Sequence, residues 1–215
     1  MRKLGILLGL ALWVGAGAAS AAPSFLGPTG LLTIPTADTL GAREWNVRAH
    51  GTKDLLSTGA NLGIANRLEL GFTFHDPDDI GDFFLVNAKY ALTQDTENRP
   101  GLAIGVVDAF DDFDIDPSWY AVLSKTLTRP SDARRFGLRG HVGWGDGVFG
   151  DELFYGVELT TQSRVSALVD VVDSEVNAGL RFAVSDAVRL DLALFDDLIA
   201  PHNPYETSLR MRFRP

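Results

Sequence analysis

Short stretches of alternating apolar and polar residues, separated by turn-forming residues, run along this chain from about residue 43 to residue 213. In the stretch 68–75, which reads LELGFTFH, every second residue is leucine or phenylalanine. Successive side chains of a β-strand point to opposite faces of the sheet, so each stretch predicts a strand with one apolar and one polar face. The repeat therefore predicts an all-β, antiparallel fold.

The pattern predicts about twelve strands. Most of them span about 8–11 residues, which suits a tilted membrane strand better than the average soluble strand of about 5–6 residues. The connections tend to alternate between long acidic ones and short ones, as do the two rims of a transmembrane barrel. The predicted strands begin near Arg43, Ser57, Arg67, Phe83, Gly101, Trp119, Arg135, Leu153, Val165, Glu175, Val188 and Tyr205.

The polar faces of these strands carry full charges. An Arg or Lys that faces the bilayer midplane of such a barrel costs about 2–4 kcal/mol, so the charged faces should point inward and the apolar faces toward lipid. A soluble barrel would need the opposite orientation, and about twelve strands would enclose a hollow that apolar side chains could not fill. Glycines on the polar faces, such as Gly156 and Gly179, should leave room for long charged side chains. The charges predicted to line the interior are Arg48, Glu69, Lys89, Arg139, Glu158, Asp170, Arg181, Asp191 and Arg210.

The first residues have the composition of a secretory signal peptide. Arg2 and Lys3 precede an apolar run at 4–14, and the small residues 19–21 (ASA) fit a cleavage site after Ala21. The apolar run is short for a transmembrane helix. Removal of 21 of the 215 residues would leave 194, which suits one domain.

Composition excludes several classes of function. The formal net charge of −9 argues against nucleic acid and against an anionic membrane surface as partners. The chain has no cysteine, and therefore neither disulfides nor thiolate metal sites. We predict no cofactor and no resident metal. The run Asp112-x-Asp114-x-Asp116 resembles the start of a calcium loop but has Pro117 at the sixth position, where such loops require glycine.

Residues 22–42 form an extended segment between the predicted cleavage site and the first strand of the predicted barrel, 43–215. Two prolines and two glycines at 27–38 exclude a helix, and the apolar residues at 31, 32 and 34 are unusual in a solvated linker. We expect this segment to lie against the barrel, either as an added strand or inside it. Its central motif is Gly30, Leu31, Leu32, Thr33, Ile34, Pro35, Thr36 and Ala37.

This motif, followed by a strand such as 45–50, resembles the N-terminus of YjbH-type proteins. That resemblance implies an outer-membrane β-barrel associated with exopolysaccharide or capsule production. The expected location is then the outer membrane of a Gram-negative-type envelope, and the expected partners are membrane lipid and a surface polysaccharide or its export machinery. The leading function is non-enzymatic: assisting the export or anchoring of surface exopolysaccharide.

Three other functions stay open. A small pore or purely structural barrel has the same strand pattern, and a soluble periplasmic β-protein is a further alternative. An outer-membrane hydrolase would need a nucleophile within hydrogen-bond reach of a base. His75 and His202 near acidic loops, with Ser57 or Ser118, are the candidates, but no catalytic signature accompanies them. We therefore assign no catalytic residues.

Overall fold

The structure, a computed structural model, describes residues 6–16, 22–52, 55–77, 82–110, 117–131 and 135–196. This part of the chain is all-β, with one 3-10 turn at Gly147–Phe149. No helix in it has the length and apolar character needed to cross a membrane. The strands are β1 (Ile6–Ala16), β2 (Trp45–Gly51), β3 (Leu55–Ala65), β4 (Leu68–Pro77), β5 (Phe83–Thr93), β6 (Gly101–Val107), β7 (Ser118–Thr128), β8 (Phe136–Gly145), β9 (Glu152–Thr161), β10 (Val165–Val172), β11 (Glu175–Ala183) and β12 (Val188–Asp196).

Strands β2–β12 form one antiparallel sheet in which each strand pairs with its neighbours in sequence. The prediction of an all-β, antiparallel fold is confirmed. Each of these eleven strands begins within two residues of a predicted start. The twelfth predicted strand, near Tyr205, lies outside the described residues.

Strand β1 was not predicted, because its residues overlap the apolar run of the predicted signal peptide. It pairs with β2 on one side and with β12 on the other, and the ring of strands closes only through this segment. An extended apolar segment can satisfy two open strand edges through its backbone alone. Without β1, the eleven strands form an open sheet, because β2 and β12 do not pair with each other.

The two faces of the sheet differ in polarity. On the outer face Leu70, Phe72 and Leu180 are 40–44 % exposed. On the inner face Glu69 is fully buried and Arg181 is 7 % exposed. Residues directly opposite each other in an antiparallel pair share a face, and the register pairs Glu69 with Lys89 and Arg181 with Asp191. The sheet therefore turns a charged face inward and an apolar face outward.

The N-terminal segment, residues 22–41, lies inside the curved sheet, the second of the two placements expected from its sequence. Its apolar residues pack into a hydrophobic core with inward-facing residues from many strands. The core members from the segment are Phe25, Leu26, Leu31, Leu32, Ile34 and Ala37. The interior is thus partly dry, because the segment supplies apolar contacts that the strands alone lack.

The interior has two ends of different character. The closed end lies where β8 joins β9 through the turn Gly147–Phe149, whose Phe149 is fully buried in the core. The cavity end lies where β9 joins β10 at residues 162–164, beside a cavity of about 760 Å³. Positions facing the same interior are therefore packed at one end and solvated at the other.

Candidate functional site

The inward-facing charges contact the N-terminal segment, and together they form the candidate site. Glu69 accepts hydrogen bonds from Thr29 N (2.9 Å), Thr29 Oγ1 (3.0 Å) and Leu40 N (3.0 Å). Lys89 Nζ donates to Thr29 O (2.7 Å) and Thr36 O (3.3 Å). The two charges are direct neighbours across β4 and β5. They hold the segment through its backbone, and these hydrogen bonds satisfy both buried polar groups.

Asp170 on β10 makes the second attachment. Its carboxylate accepts hydrogen bonds from Leu32 N (2.9 Å), Thr33 N (3.0 Å) and Thr33 Oγ1 (2.8 Å). Asn177 on β11 donates to the same carboxylate (3.0 Å) and to Thr33 Oγ1 (3.1 Å). Thr33 of the motif is therefore recognised at both its amide and its hydroxyl group.

Arg181 and Asp191 form a buried ion pair beneath the motif. Arg181 Nε and Nη2 donate to the two carboxylate oxygens of Asp191 over 2.8–3.0 Å. Arg181 Nη2 also donates to Leu31 O at 3.2 Å. The pair thus neutralises itself and still contacts the backbone of the N-terminal segment.

Arg139 attaches the end of the segment at the cavity end. It forms a two-point ion pair with Asp38, with Nη2 2.9 Å from Oδ1. Its Nε lies 3.4 Å from Asp95 Oδ2 in the connection between β5 and β6. Asp95 also accepts hydrogen bonds from Thr126 N (2.8 Å) and Oγ1 (2.6 Å). Burial opposes ionisation of Asp95, but these hydrogen bonds with the charges of Arg139 and Lys125 outweigh it and lower the pKa of its carboxyl.

Two glycines allow the segment to approach the strands closely. A Cβ atom on Gly156 would lie 2.5 Å from Leu31 Cδ1 and 2.9 Å from Ile34 Cδ1. Gly27 has φ +127°, and a Cβ there would meet Thr73 Oγ1 at 2.7 Å. The expectation that inward glycines accommodate charged side chains is wrong at Gly156 and at Gly179, whose neighbours are apolar side chains of the motif.

The structure locates nearly all of the charges that the sequence assigned to the interior. Six are buried: Arg48, Glu69, Lys89, Asp170, Arg181 and Asp191. Arg139 and Glu158 are partly buried beside the cavity, and Arg210 lies outside the described residues. Ser124 Oγ accepts a hydrogen bond from Ala37 N of the motif at 2.8 Å. Sequence reasoning missed Asp95, Ser124 and Asn177 as partners of these charges or of the motif, because nothing in their local pattern sets them apart.

The residues considered for catalysis are only partly brought together. Ser57 and His75 face each other across β3 and β4, and both are buried. Neither Ser57 Oγ nor either ring nitrogen of His75 has a hydrogen-bond partner within the described protein, so no nucleophile–base hydrogen bond joins them. Phe25 packs against the imidazole of His75, with ring centroids 5.3 Å apart.

The other candidate residues either have a structural contact or lie outside the described residues. Ser118 Oγ accepts a hydrogen bond from Val148 N (3.1 Å) and so supports the turn at the closed end. His202 and the run at 112–116 lie outside the described residues. Within the described ranges, no group of three or more His, Cys, Asp or Glu could hold a metal ion.

No family model, curated protein or solved structure matches this chain. The interpretation of the site therefore rests on the contacts between the N-terminal segment and the charged inner face.

Proposed function

We propose that this chain is a non-enzymatic β-barrel of the outer membrane whose interior is filled by its own N-terminal segment, and that it assists the export or anchoring of a surface polysaccharide. The observation that supports this proposal most strongly is the polarity of the sheet, whose apolar face points outward and whose charged face points inward. Large apolar side chains are exposed on the outside, whereas Glu69, Lys89 and Asp170 are at most 1 % exposed inside. A water-soluble sheet protein would normally bury its apolar face instead.

The aromatic side chains of the outer face support a membrane location. Trp and Tyr are enriched where a membrane protein meets the lipid–water interface. The outward Trp and Tyr residues with 44–58 % exposure are Trp45, Tyr90, Trp119, Trp144 and Tyr155.

The membrane location is tested by fractionation of the full chain expressed with its own leader. We expect the mature protein to float with outer-membrane vesicles and to migrate faster on gels when it is not boiled. Recovery in the soluble periplasmic fraction, with the same migration before and after boiling, would refute the proposal.

The mature barrel that we propose consists of β2–β12 and a strand formed by residues 205–213. Removal of the leader would free the edges of β2 and β12 that now pair with β1. Open strand edges are unfavourable and readily pair with another strand. Residues 205–213 read YETSLRMRF, whose alternation at 208–213 provides one polar and one apolar face. A segment with one polar and one apolar face suits the position between β2 and β12 better than the leader, which is apolar on both faces.

Because the chain lacks cysteine, disulfide trapping can test this closure. We expect Ala49→Cys on β2 to form a disulfide with a cysteine at Leu209, Met211 or Phe213 in the mature, membrane-embedded protein. Val86→Cys on β5 is the matched control and should give none. Absence of a disulfide at all three positions would contradict closure by this segment.

The polysaccharide role is supported by the resemblance of the motif at 30–37 to YjbH-type proteins. Its test is deletion of the gene, followed by measurement of cell-attached and released polysaccharide. We expect the attached fraction to fall and to recover with the wild-type gene. Unchanged amounts in both fractions would leave the barrel proposal intact and remove this role.

A small pore is the second candidate, because the interior at the cavity end contains about 760 Å³ of accessible space. The buried N-terminal segment argues against continuous flow. Planar-bilayer recordings separate the two functions: the filled barrel should be closed, whereas steady ohmic openings of the wild-type protein would favour the pore.

A further inference from the structure

The cavity at the cavity end has the size of a ligand site. Its volume of about 760 Å³ lies within the range of about 300–1,000 Å³ that is typical of small-molecule pockets. Ala37 and Asp38 of the N-terminal segment lie on one side of it, and residues of β8–β12 and of the connections between them form much of the rest. The N-terminal segment thus limits the cavity toward the closed end.

The charges around this cavity are nearly balanced. Two of the arginines are paired with carboxylates that also line the cavity: Arg139 with Asp38, and Arg164 with Asp186 at 3.1 Å. Arg181 is paired with Asp191 directly behind the wall. The charged residues that line the cavity are Arg129, Arg139, Arg164, Arg181, Arg189, Asp38, Asp95, Glu158 and Asp186. Such a balance gives little net attraction for a phosphate, a carboxylate or a cation.

The remaining lining is rich in hydroxyl groups and has no aromatic side chain among the described residues. An acyl chain would leave these polar groups without partners, and a nucleobase would find no ring on which to stack. The hydroxyl-bearing residues are Thr39, Thr126, Thr128, Thr160, Thr161, Ser166 and Ser185. A ligand that matches this lining must itself be uncharged and carry many donors and acceptors.

Glu158 provides a specific contact point for such a ligand. It lies opposite Arg139 in the register of β8 and β9 and lines the cavity. Its one hydrogen bond within the described part of the chain comes from Thr160 Oγ1 at 3.3 Å. A carboxylate has about four lone-pair sites, so Glu158 can accept further hydrogen bonds from two neighbouring hydroxyl groups of a ligand. The guanidinium of Arg139 beside it can donate to such hydroxyl oxygens.

We propose that this cavity binds a short segment of an uncharged saccharide chain, with Glu158 as the principal acceptor of its hydroxyl groups. The inference deepens the proposed polysaccharide role and rests on it. It adds a location, a ligand class and a residue that can be tested separately from membrane insertion.

The experiment uses the mature full chain in detergent on an array of neutral and anionic oligosaccharides, followed by titration calorimetry with the best neutral probe. We expect Glu158→Gln to weaken binding by at least about tenfold, because hydrogen bonds to a charged acceptor are among the strongest. Thr160→Trp should place a large ring beside Glu158, block the approach of the ligand to this carboxylate and abolish binding. Leu159→Trp, on the adjacent outward position, is the matched control and should bind like the wild type.

Three results would overturn the inference: no neutral oligosaccharide retained above a detergent blank, retention of anionic probes only, or equal binding by Thr160→Trp and the wild type. Each preparation is also checked for flotation and for the unboiled migration shift. A barrel that passes these checks but binds no neutral saccharide refutes the cavity site alone. A chain that fails them refutes the proposed membrane function.

Discussion

The closed end and the cavity end of the interior differ in composition although the same inward alternation of the strands builds both. At the closed end, Phe149 and Phe154 are fully buried, with ring centroids 5.1 Å apart. At the cavity end, the corresponding inward positions carry Glu158 and Thr160, which line a solvated space. Apolar residues of the N-terminal segment between 25 and 34 belong to the same hydrophobic core as Phe149 and Phe154, whereas residues 37–39 line the cavity. Alternation therefore determines which residues face the interior, whereas the inserted segment determines whether that part of the interior is packed or open to solvent.

The largest expected effect is a difference in the free energy of unfolding between two variants of strand β9. One variant changes a phenylalanine at the closed end, and the other changes a threonine at the cavity end. Phe154→Ala removes a fully buried ring and should lower the free energy of unfolding by about 3–5 kcal/mol. Thr160→Ala should change it by no more than about 0.5 kcal/mol, because solvent can replace its contacts. Urea titration of both variants in the same detergent measures the contrast. Equal losses would mean that the two ends are packed alike.

The second effect concerns the close packing of the N-terminal segment against the inner face of the sheet. Gly156→Leu places a side chain against Leu31 and Ile34 and should destabilise the inserted segment by about 1–3 kcal/mol. Gly140→Leu is the matched control, because a Cβ there has no atom within 4 Å. We expect faster hydrogen exchange at residues 30–36, and more frequent bilayer openings, in the first variant only. Unchanged exchange in Gly156→Leu would show that the glycine is not needed for the approach.

The third effect concerns the polar attachment of the motif. Asp170→Asn keeps the side-chain volume, but its amide group cannot accept all the hydrogen bonds from Leu32 N, Thr33 N and Thr33 Oγ1. A buried donor without a partner costs about 1–3 kcal/mol, so protection of these amides from exchange should fall accordingly. Asp151→Asn, at an exposed turn position, is the control and should leave protection unchanged. Full protection in Asp170→Asn would contradict this attachment.

The sequence was sufficient for strands β2–β12 and for their two faces. The alternation around Leu70 and Leu180 predicted strands that the structure contains, because period two follows from backbone geometry and needs no tertiary information. The segment at β1 was interpreted only as a leader, since an apolar run has no alternation from which a strand could be read.

The attachment of the N-terminal segment was beyond sequence reasoning. Its apolar residues indicated that it lies against the barrel, but Asp170 and Thr33 are 137 positions apart. A contact over that separation leaves no local pattern. The dry core at the closed end was missed for the same reason, because it combines Leu31 and Ile34 with residues of many strands.

The smallest expected effect is a response to acid confined to the cavity end. The pKa of Asp95 is lowered in the folded protein, so its contribution to stability is present above its unfolded value of 3.8 and is lost as the pH falls through the folded value. Because Asp95 lines the open cavity, where solvent screens its charge interactions, we expect less than about 1 kcal/mol. Protonation weakens its hold on Arg139, which in turn holds Asp38, so amide exchange at residues 37–39 should quicken below about pH 4 after correction for intrinsic rates. In Asp95→Asn the pH dependence of amide exchange at residues 37–39 should disappear. Exchange at residues 31–34 should depend on pH in the same way in both proteins. A response at residues 31–34 that also disappears in Asp95→Asn would mean that the two ends are not independent and that the segment is released as one unit.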